Sequence, residues 1–176
     1  MSTPFWDSVN GADLAQGDLI QGCLVPQLGE DFGSGGDGSN ETIPVIEANL
    51  IIVTQSCDLE NGRAELVALC PTYSLDEFES ADESFKARGR WEEVRKGRKE
   101  GLYLLACPSD PANNRGCLVV DFGQIFSLPA PYLSKRATLA GERWRLLSPY
   151  LEHFSQAFGR YFMRVGLPKQ IPGFNK

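Results

Sequence analysis

Residues 48–58 read ANLIIVTQSCD, and this stretch organises the predicted fold. Its apolar run at 50–53 is short, continuous and rich in β-branched side chains, which predicts a strand buried on both faces. Small polar or reactive side chains follow at once, at 54–58. A rigid strand that ends in such groups can carry a functional site, or it can lead into a turn that the Ser56 and Asp58 side chains stabilise.

The composition predicts one globular domain over residues 1–176. The chain is 42% hydrophobic, which at this length is enough to bury a core without disulfides or a metal. Its formal net charge of −6 argues against a protein that coats nucleic acid through bulk positive charge. A local basic patch is still compatible with this charge.

The cysteines and the hydropathy pattern indicate the cellular compartment that we expect for the protein. Five cysteines are an odd number, and they include no CxxC pair, so neither a disulfide framework nor a zinc ribbon is indicated. Reduced thiols fit a cytosolic protein. The chain shows no signal-peptide pattern and no apolar run near the ~20 residues that span a bilayer. We therefore expect a cytoplasmic protein without a membrane segment and without a cofactor.

Strands are also expected on both sides of the central stretch. Residues 1–16 predict a short helical turn or an arm, after which Gly17 and Asp18 open a strand that Pro26 ends. Residues 29–42 are glycine-rich and acidic, and they predict a flexible loop because they have little to bury.

An Asn-Gly pair at 61–62 predicts a hairpin turn after the central strand. It leads into a third strand at 64–70, which Pro71 closes. Shorter strands are predicted at 101–106, 117–122 and 143–147, with a short helical turn at 131–138.

Residues 75–100 predict a helical insertion with acids early and bases late, which suits a helix dipole. Its second half holds the basic concentration of this acidic chain, namely Lys86, Arg88, Arg90, Arg95, Lys96, Arg98 and Lys99. Two interpretations stay open, a solvated helical face or a surface that binds RNA or an acidic partner. Trp91 favours binding, because an aromatic ring among arginines can stack on a base.

A C-terminal helix is predicted over 148–166. Ser148 is a suitable N-cap, Pro149 suits the first helical position and Gly166 suits the C′ position. Apolar side chains recur at helical spacing on one face, and another face carries His153, Gln156, Arg160 and Arg164. Arg160 and Arg164 lie one turn apart and can clamp a carboxylate or a phosphate.

Two arrangements could carry chemistry on Cys57. With His153 as base and Asp58 or Gln55 as orienting group, Cys57 would be an activated nucleophile of a cysteine-dependent hydrolase. Cys57, Asp58 and His153 could instead bind a metal, although their spacing forms no metal motif. A histidine in the first turn of a helix is also compatible with a plain surface position.

Five sequence segments follow one another in a characteristic order along the chain. Gly17-Asp18-Leu19-Ile20 opens a strand, ANLIIVTQ and AELVALCPTYS form a pair, VVDFGQIFSLPAPYLSKR follows the insertion, and LSPYLEHFSQAFGRYFMRVGL ends the series. This order resembles the MazF/PemK family of toxins. The resemblance covers most of the chain outside 75–116, and it implies an SH3-like barrel that can form a homodimer.

The resemblance also implies an activity. Members of that family cleave single-stranded RNA without metal, using an arginine at the start of the second strand and a threonine or serine after the third. Here Ala48 and Asn49 hold the arginine-proline position, while Thr72 or Ser74 can take the second role. Phosphoryl transfer needs a positive group to neutralise developing charge, so the sequence predicts a catalytically degenerate relative.

We therefore expect a mainly β, α+β fold, an SH3-like antiparallel β-barrel with a helical insertion and a C-terminal helix. The phrase QSCDL resembles one in uncharacterised prokaryotic proteins. The expected function is a binding module with a protein partner, and RNA as a further ligand, in a prokaryotic toxin, defence or regulatory system. An endoribonuclease using Thr72 and a hydrolase using Cys57 are the alternatives.

Overall fold

The computed structural model describes residues 3–30, 32 and 42–163, and these form an α+β fold whose strands pair antiparallel. The strands are β1 Trp6–Val9, β2 Leu19–Pro26, β3 Val45–Ile52, β4 Leu66–Ser74, β5 Leu102–Leu105, β6 Leu118–Asp121, β7 Phe126–Pro129 and β8 Arg143–Leu146. The α-helices are α1 Ser56–Glu60, α2 Leu75–Ala81, α3 Arg90–Arg95, α4 Ala130–Ala140 and α5 Tyr150–Phe162. No helix in this part of the chain is both long enough and apolar enough to cross a membrane.

The main sheet is built around β3 and β4. Its strand order is β2-β3-β4-β6-β5, with β7 paired to the first half of β4, and β1 and β8 form a separate two-stranded sheet. Strands β2 and β5 lie at the two ends of this order, and no strand pairing joins them among the described residues. The antiparallel α+β class is confirmed, whereas a closed SH3-like barrel stays a prediction.

Side chains of β3 point alternately into two hydrophobic clusters. Ile51 and Val53 pack with Phe122 and Phe154 on the face covered by α5. Leu50 and Ile52 pack on the opposite face, with residues of α4. All four residues at 50–53 are at most 4% exposed, which confirms the predicted strand buried on both faces.

Two local predictions around the central strands need correction. Residues 6–9 form the strand β1 rather than a helical turn, because β8 pairs with them over its whole length. Strands β3 and β4 pair antiparallel and Asn61-Gly62 lies in a turn, but the helix α1 precedes that turn, so the connection is not a tight hairpin. Backbone hydrogen bonds stabilise the start of α1, where the amides of Asp58 and Leu59 donate to the Gln55 carbonyl.

Pro71 does not end the third predicted strand. Strand β4 continues to Ser74, and its pairing changes partner around Pro71: Cys70 pairs with β3, and Thr72 pairs with β6. A proline is tolerated in a strand when its missing N–H removes few ladder bonds. The change of partner strand limits that loss at Pro71.

The C-terminal helix begins later than predicted. Pro149 occupies the N-cap position and gives no side-chain cap. Ser148 therefore lies one residue too early for its hydroxyl to reach the first free amides. The helix extends to Phe162, and the rest of the predicted 148–166 helix, with Arg164 and Gly166, lies outside the described residues, as does most of the predicted loop at 29–42.

Candidate functional site

A cleft of about 470 Å³ lies where the end of the insertion, β5 and α5 meet. Residues 94–97 and 99–101 form one wall, residues 102–104 of β5 form the floor, and α5 forms the opposite wall through side chains between His153 and Tyr161. The volume falls in the range of about 300–1,000 Å³ that small-molecule sites occupy.

Local sequence explains why the chain can form these walls. Val94 is 3% exposed and anchors α3 against the body. The chain then turns into β5 through Gly97 and Gly101, both at positive φ, which glycine adopts without strain. A Cβ on Gly101 would come within 3.0 Å of the Tyr161 ring, so the absence of a side chain there lets α5 approach the start of β5 closely.

Buried aromatic packing holds the opposite wall in place. Phe154 of α5 is fully buried, and its ring centroid lies 5.6 Å from those of Phe122 and Tyr103. Phe122 also lies 6.4 Å from Tyr161. The helix is therefore fixed on the sheet by its apolar face, which leaves the face with His153, Gln156 and Arg160 exposed along the cleft.

Four basic side chains from two separate parts of the chain line this cleft, against one carboxylate. Arg95, Lys96 and Lys99 come from the insertion, Arg160 comes from α5, and Glu100 is the acid. Arg160 has no hydrogen-bond or ion-pair partner among the described residues. The protein as a whole has a formal charge of −6, so the cleft is a local exception to an acidic molecule.

The insertion cations are partly engaged with their own helix. Arg95 and Lys96 lie 2.6 and 3.1 Å from the Glu92 carboxylate. The hydrogen bonds from Arg95 and then Lys96 lower the pKa of Glu92 to about 2. All three side chains are exposed, and such surface pairs contribute little and exchange partners easily. The pairing orients the two cations without preventing them from binding an anion.

Aromatic rings form the apolar part of the same cleft. Tyr103 and Tyr161 are half-buried, and Phe122 lies between them at the base. Burial raises the pKa of the Tyr103 hydroxyl, which keeps this side chain neutral over the physiological range. The cleft thus offers a flat uncharged surface next to a group of cations.

The structure brings together Arg95, Lys96, Lys99, His153 and Arg160, five of the residues predicted from sequence. Arg98 does not line the cleft, and its guanidinium lies 3.8 Å from the Glu93 carboxylate of α3. Trp91 is packed inside the insertion, with its ring 4.9 Å from that of Phe85 and its indole N–H donating to Glu79. That packing leaves Trp91 poorly placed to stack on a base.

The predicted cysteine site is not assembled. Cys57 is exposed on α1, where its thiol donates to the Gln55 side-chain oxygen at 3.7 Å. His153 lines the cleft, and Gln55, Cys57 and Asp58 do not. Among the described residues, no group of three His, Cys, Asp or Glu side chains could hold a metal ion.

Thr72 is 5% exposed, and its hydroxyl donates to the Asn49 carbonyl oxygen at 3.2 Å. Ser74 caps α2 in a reciprocal pair with Glu77. Neither hydroxyl lines the cleft. The two residues that the family resemblance suggests for catalysis therefore have structural partners instead.

Sequence reasoning missed the aromatic wall. Tyr103 and Phe122 lie in predicted strands and Tyr161 on the apolar face of a predicted helix, and no sequence pattern assigns them to a ligand site. The available signal was the amphipathic character of tyrosine, which often combines a packed ring with an accessible edge.

Together these features define an α+β protein with a two-sided core and one basic, aromatic cleft at the β5 end of its sheet. No family model, curated protein or solved structure matches the chain significantly. We therefore infer the function of the protein from the cleft.

Proposed function

We propose that the protein is a non-catalytic binding module that receives an anionic ligand in the cleft between α3, β5 and α5. In this proposal it is a degenerate relative of the MazF/PemK toxins on an SH3-like scaffold. It acts in the cytoplasm as an interaction component of a prokaryotic toxin, defence or regulatory system.

One observation carries the proposal. Arg160 lies on a different element from Arg95 and Lys96, yet all three face the same 470 Å³ cleft. Glu92 pairs with Arg95 and Lys96, but placing Arg160 at the same cleft as these two cations costs free energy, because like charges repel, and an anion between them would recover it. A solvated helical face needs no such convergence from two elements.

The alternatives receive no comparable support. An endoribonuclease on Thr72 would need a hydroxyl that reaches RNA, and this one is buried against a backbone carbonyl. A hydrolase on Cys57 would need a base beside the thiol, whereas its side-chain partner is the Gln55 amide. Both stay predictions, as do the protein partner and the homodimer.

Calorimetric titration with inorganic tripolyphosphate tests the proposal. We expect binding by the wild type and about tenfold weaker binding by Arg160→Gln, because a hydrogen bond to a charged group contributes about 1.5 kcal/mol. Arg63→Gln is the matched control, since Arg63 is exposed and does not line the cleft. A wild type that does not bind, or an equal loss in both variants, would contradict the proposal.

A further inference from the structure

The cleft combines two kinds of surface that a simple anion would not need together. The cations Arg95, Lys96 and Arg160 line it, and so do the half-buried rings of Tyr103 and Tyr161. A bare phosphate or carboxylate would use the cations alone. The aromatic wall adds affinity only for a ligand that also has a flat apolar part.

Polar side chains that could recognise such a ligand through hydrogen bonds lie on the α5 wall. His153 and Gln156 are exposed and line the cleft, about two turns and one turn before Arg160. The Gln156 amide has both donors and acceptors, and the His153 imidazole has at least one donor, which suits the edge of a heterocycle or a ribose hydroxyl. Both side chains share the cleft with the aromatic wall and Arg160.

The charge of the rest of the molecule favours a short ligand over a long polyanion. The formal net charge of the chain is −6, although the cleft itself is lined by cations. A nucleic acid strand that extended beyond the cleft would bring further phosphates toward a molecule of net negative charge. A ligand that fits inside about 470 Å³ avoids that repulsion.

We propose that the cleft binds a free nucleotide, with its base against Tyr103 and Tyr161 and its phosphates between Arg160 and the insertion cations. This inference rests on the proposed function, since it names the anionic ligand of the same site. It gives the binding module a small-molecule signal to which its interactions can respond.

The deciding experiment compares each of the four ribonucleoside triphosphates with inorganic tripolyphosphate on the wild-type protein, by calorimetry in the presence of EDTA. The compared ligands share a triphosphate group and differ in the nucleoside. We expect at least one nucleotide to bind about tenfold more tightly than tripolyphosphate, the effect that one base stacked on an aromatic ring typically gives. Because it needs no substitution, this comparison is independent of how any variant folds.

Substitutions then test whether the aromatic wall causes the tighter binding of the nucleotide. Tyr103→Leu should weaken nucleotide binding much more than tripolyphosphate binding and so remove most of the preference for the nucleotide, whereas Arg160→Gln should weaken both to a similar extent. Tyr132→Leu is the matched control, because Tyr132 is also half-buried and does not line the cleft. A Tyr103→Leu variant that keeps the full preference would overturn the assignment of the base to this wall.

The possible results separate the two proposals. Tripolyphosphate that binds as tightly as every nucleotide overturns the nucleotide inference and leaves the anion-binding module standing. If neither binds, the proposed function fails and the inference fails with it. A short single-stranded RNA or an acidic peptide that displaces tripolyphosphate, where free nucleotides do not, also overturns the inference.

Discussion

At the scale of single residues, a buried charge cluster links the segment before β2 to strand β8. Asp18 is fully buried, and its carboxylate accepts two hydrogen bonds of 3.1 Å from Arg143, which is 4% exposed. Arg145 also donates to Asp18, and this hydrogen bond raises the pKa of the Arg145 guanidinium. Arg143 further donates to the carbonyls of Gly11 and Asp13. The cluster joins the segment before β2 to β8.

Removing the Asp18 charge should destabilise the protein strongly. Asp18→Asn leaves Arg143 buried without its counter-charge, and breaking a buried pair in this way costs on the order of 3–5 kcal/mol. Urea unfolding at neutral pH measures the loss. Asp13→Asn is the control, because the exposed Asp13 contributes its main-chain carbonyl, and its effect should stay within about 0.5 kcal/mol. Equal midpoints for both variants would contradict the structural role of Asp18.

At the scale of elements, the insertion is a small packed unit. The rings of Phe78, Phe85 and Trp91 lie within 4.9–5.8 Å of one another, and Tyr73 of β4 adjoins Phe78 at 6.0 Å. Glu79 and Asp76 attach it to the body through Arg115, and Glu79 also accepts from the Trp91 indole. The helices that position the cleft cations therefore depend on local aromatic packing.

The Glu79 carboxylate should give the insertion an acid sensitivity. The hydrogen bonds from Trp91 and then Arg115 lower the pKa of Glu79 below its ordinary value of 4.5. A carboxyl with a lowered folded-state pKa stabilises the protein fully above its unfolded-state pKa, and it loses that contribution as pH falls through the folded-state value. Glu79→Gln should therefore destabilise the protein at pH 7, and the difference from wild type should shrink below about pH 4.

Urea unfolding of wild type and Glu79→Gln at several pH values measures this difference. Glu83→Gln is the control, because the Glu83 side chain is 83% exposed and pairs with Lys86 at the surface. A Glu79→Gln difference that is constant from neutral to acid pH would show that the effect does not come from ionisation.

At the scale of the whole molecule, the buried core and the proposed binding cleft lie in different parts of the fold. Strands β3 and β4 lie at the centre of the sheet, and the residues at 50–53, 67, 69 and 70 are buried. The cations at 95–99 lie on an exposed segment at the β5 end. Regions with few buried contacts and exposed backbone bonds open at low free energy, whereas central strands open only on global unfolding.

Hydrogen–deuterium exchange can test this division. We expect the slowest exchange at 50–53 and 67–70, and much faster exchange at 95–101, in the free protein. Tripolyphosphate should slow exchange at 95–104 and in α5 around His153 and Arg160, and should leave α4 unchanged. Protection confined to α1 or to the β2–β3 hairpin would place the anion site elsewhere.

The sequence by itself determined what depends on local pattern. The apolar run at 50–53, which is rich in β-branched residues, requires burial on both faces of the strand, because both of its alternating sets of side chains are apolar. The spacing of Phe154, Phe158 and Tyr161 likewise specified a helix with one apolar face. Wrong predictions concerned ends and connections, such as Pro71 and Ser148, where neighbouring strands and the actual helix start outweigh single-residue preferences.

Only the tertiary structure decided which side chains meet. Arg95 and Arg160 belong to helices far apart in the chain, and they face one cleft because Val94 packs the insertion against the body while Phe154 fixes α5 on the sheet. The same packing brings His153 and the half-buried ring of Tyr103 to this cleft, which Cys57 does not line. Such contacts arise from packing between distant segments, which no local periodicity encodes.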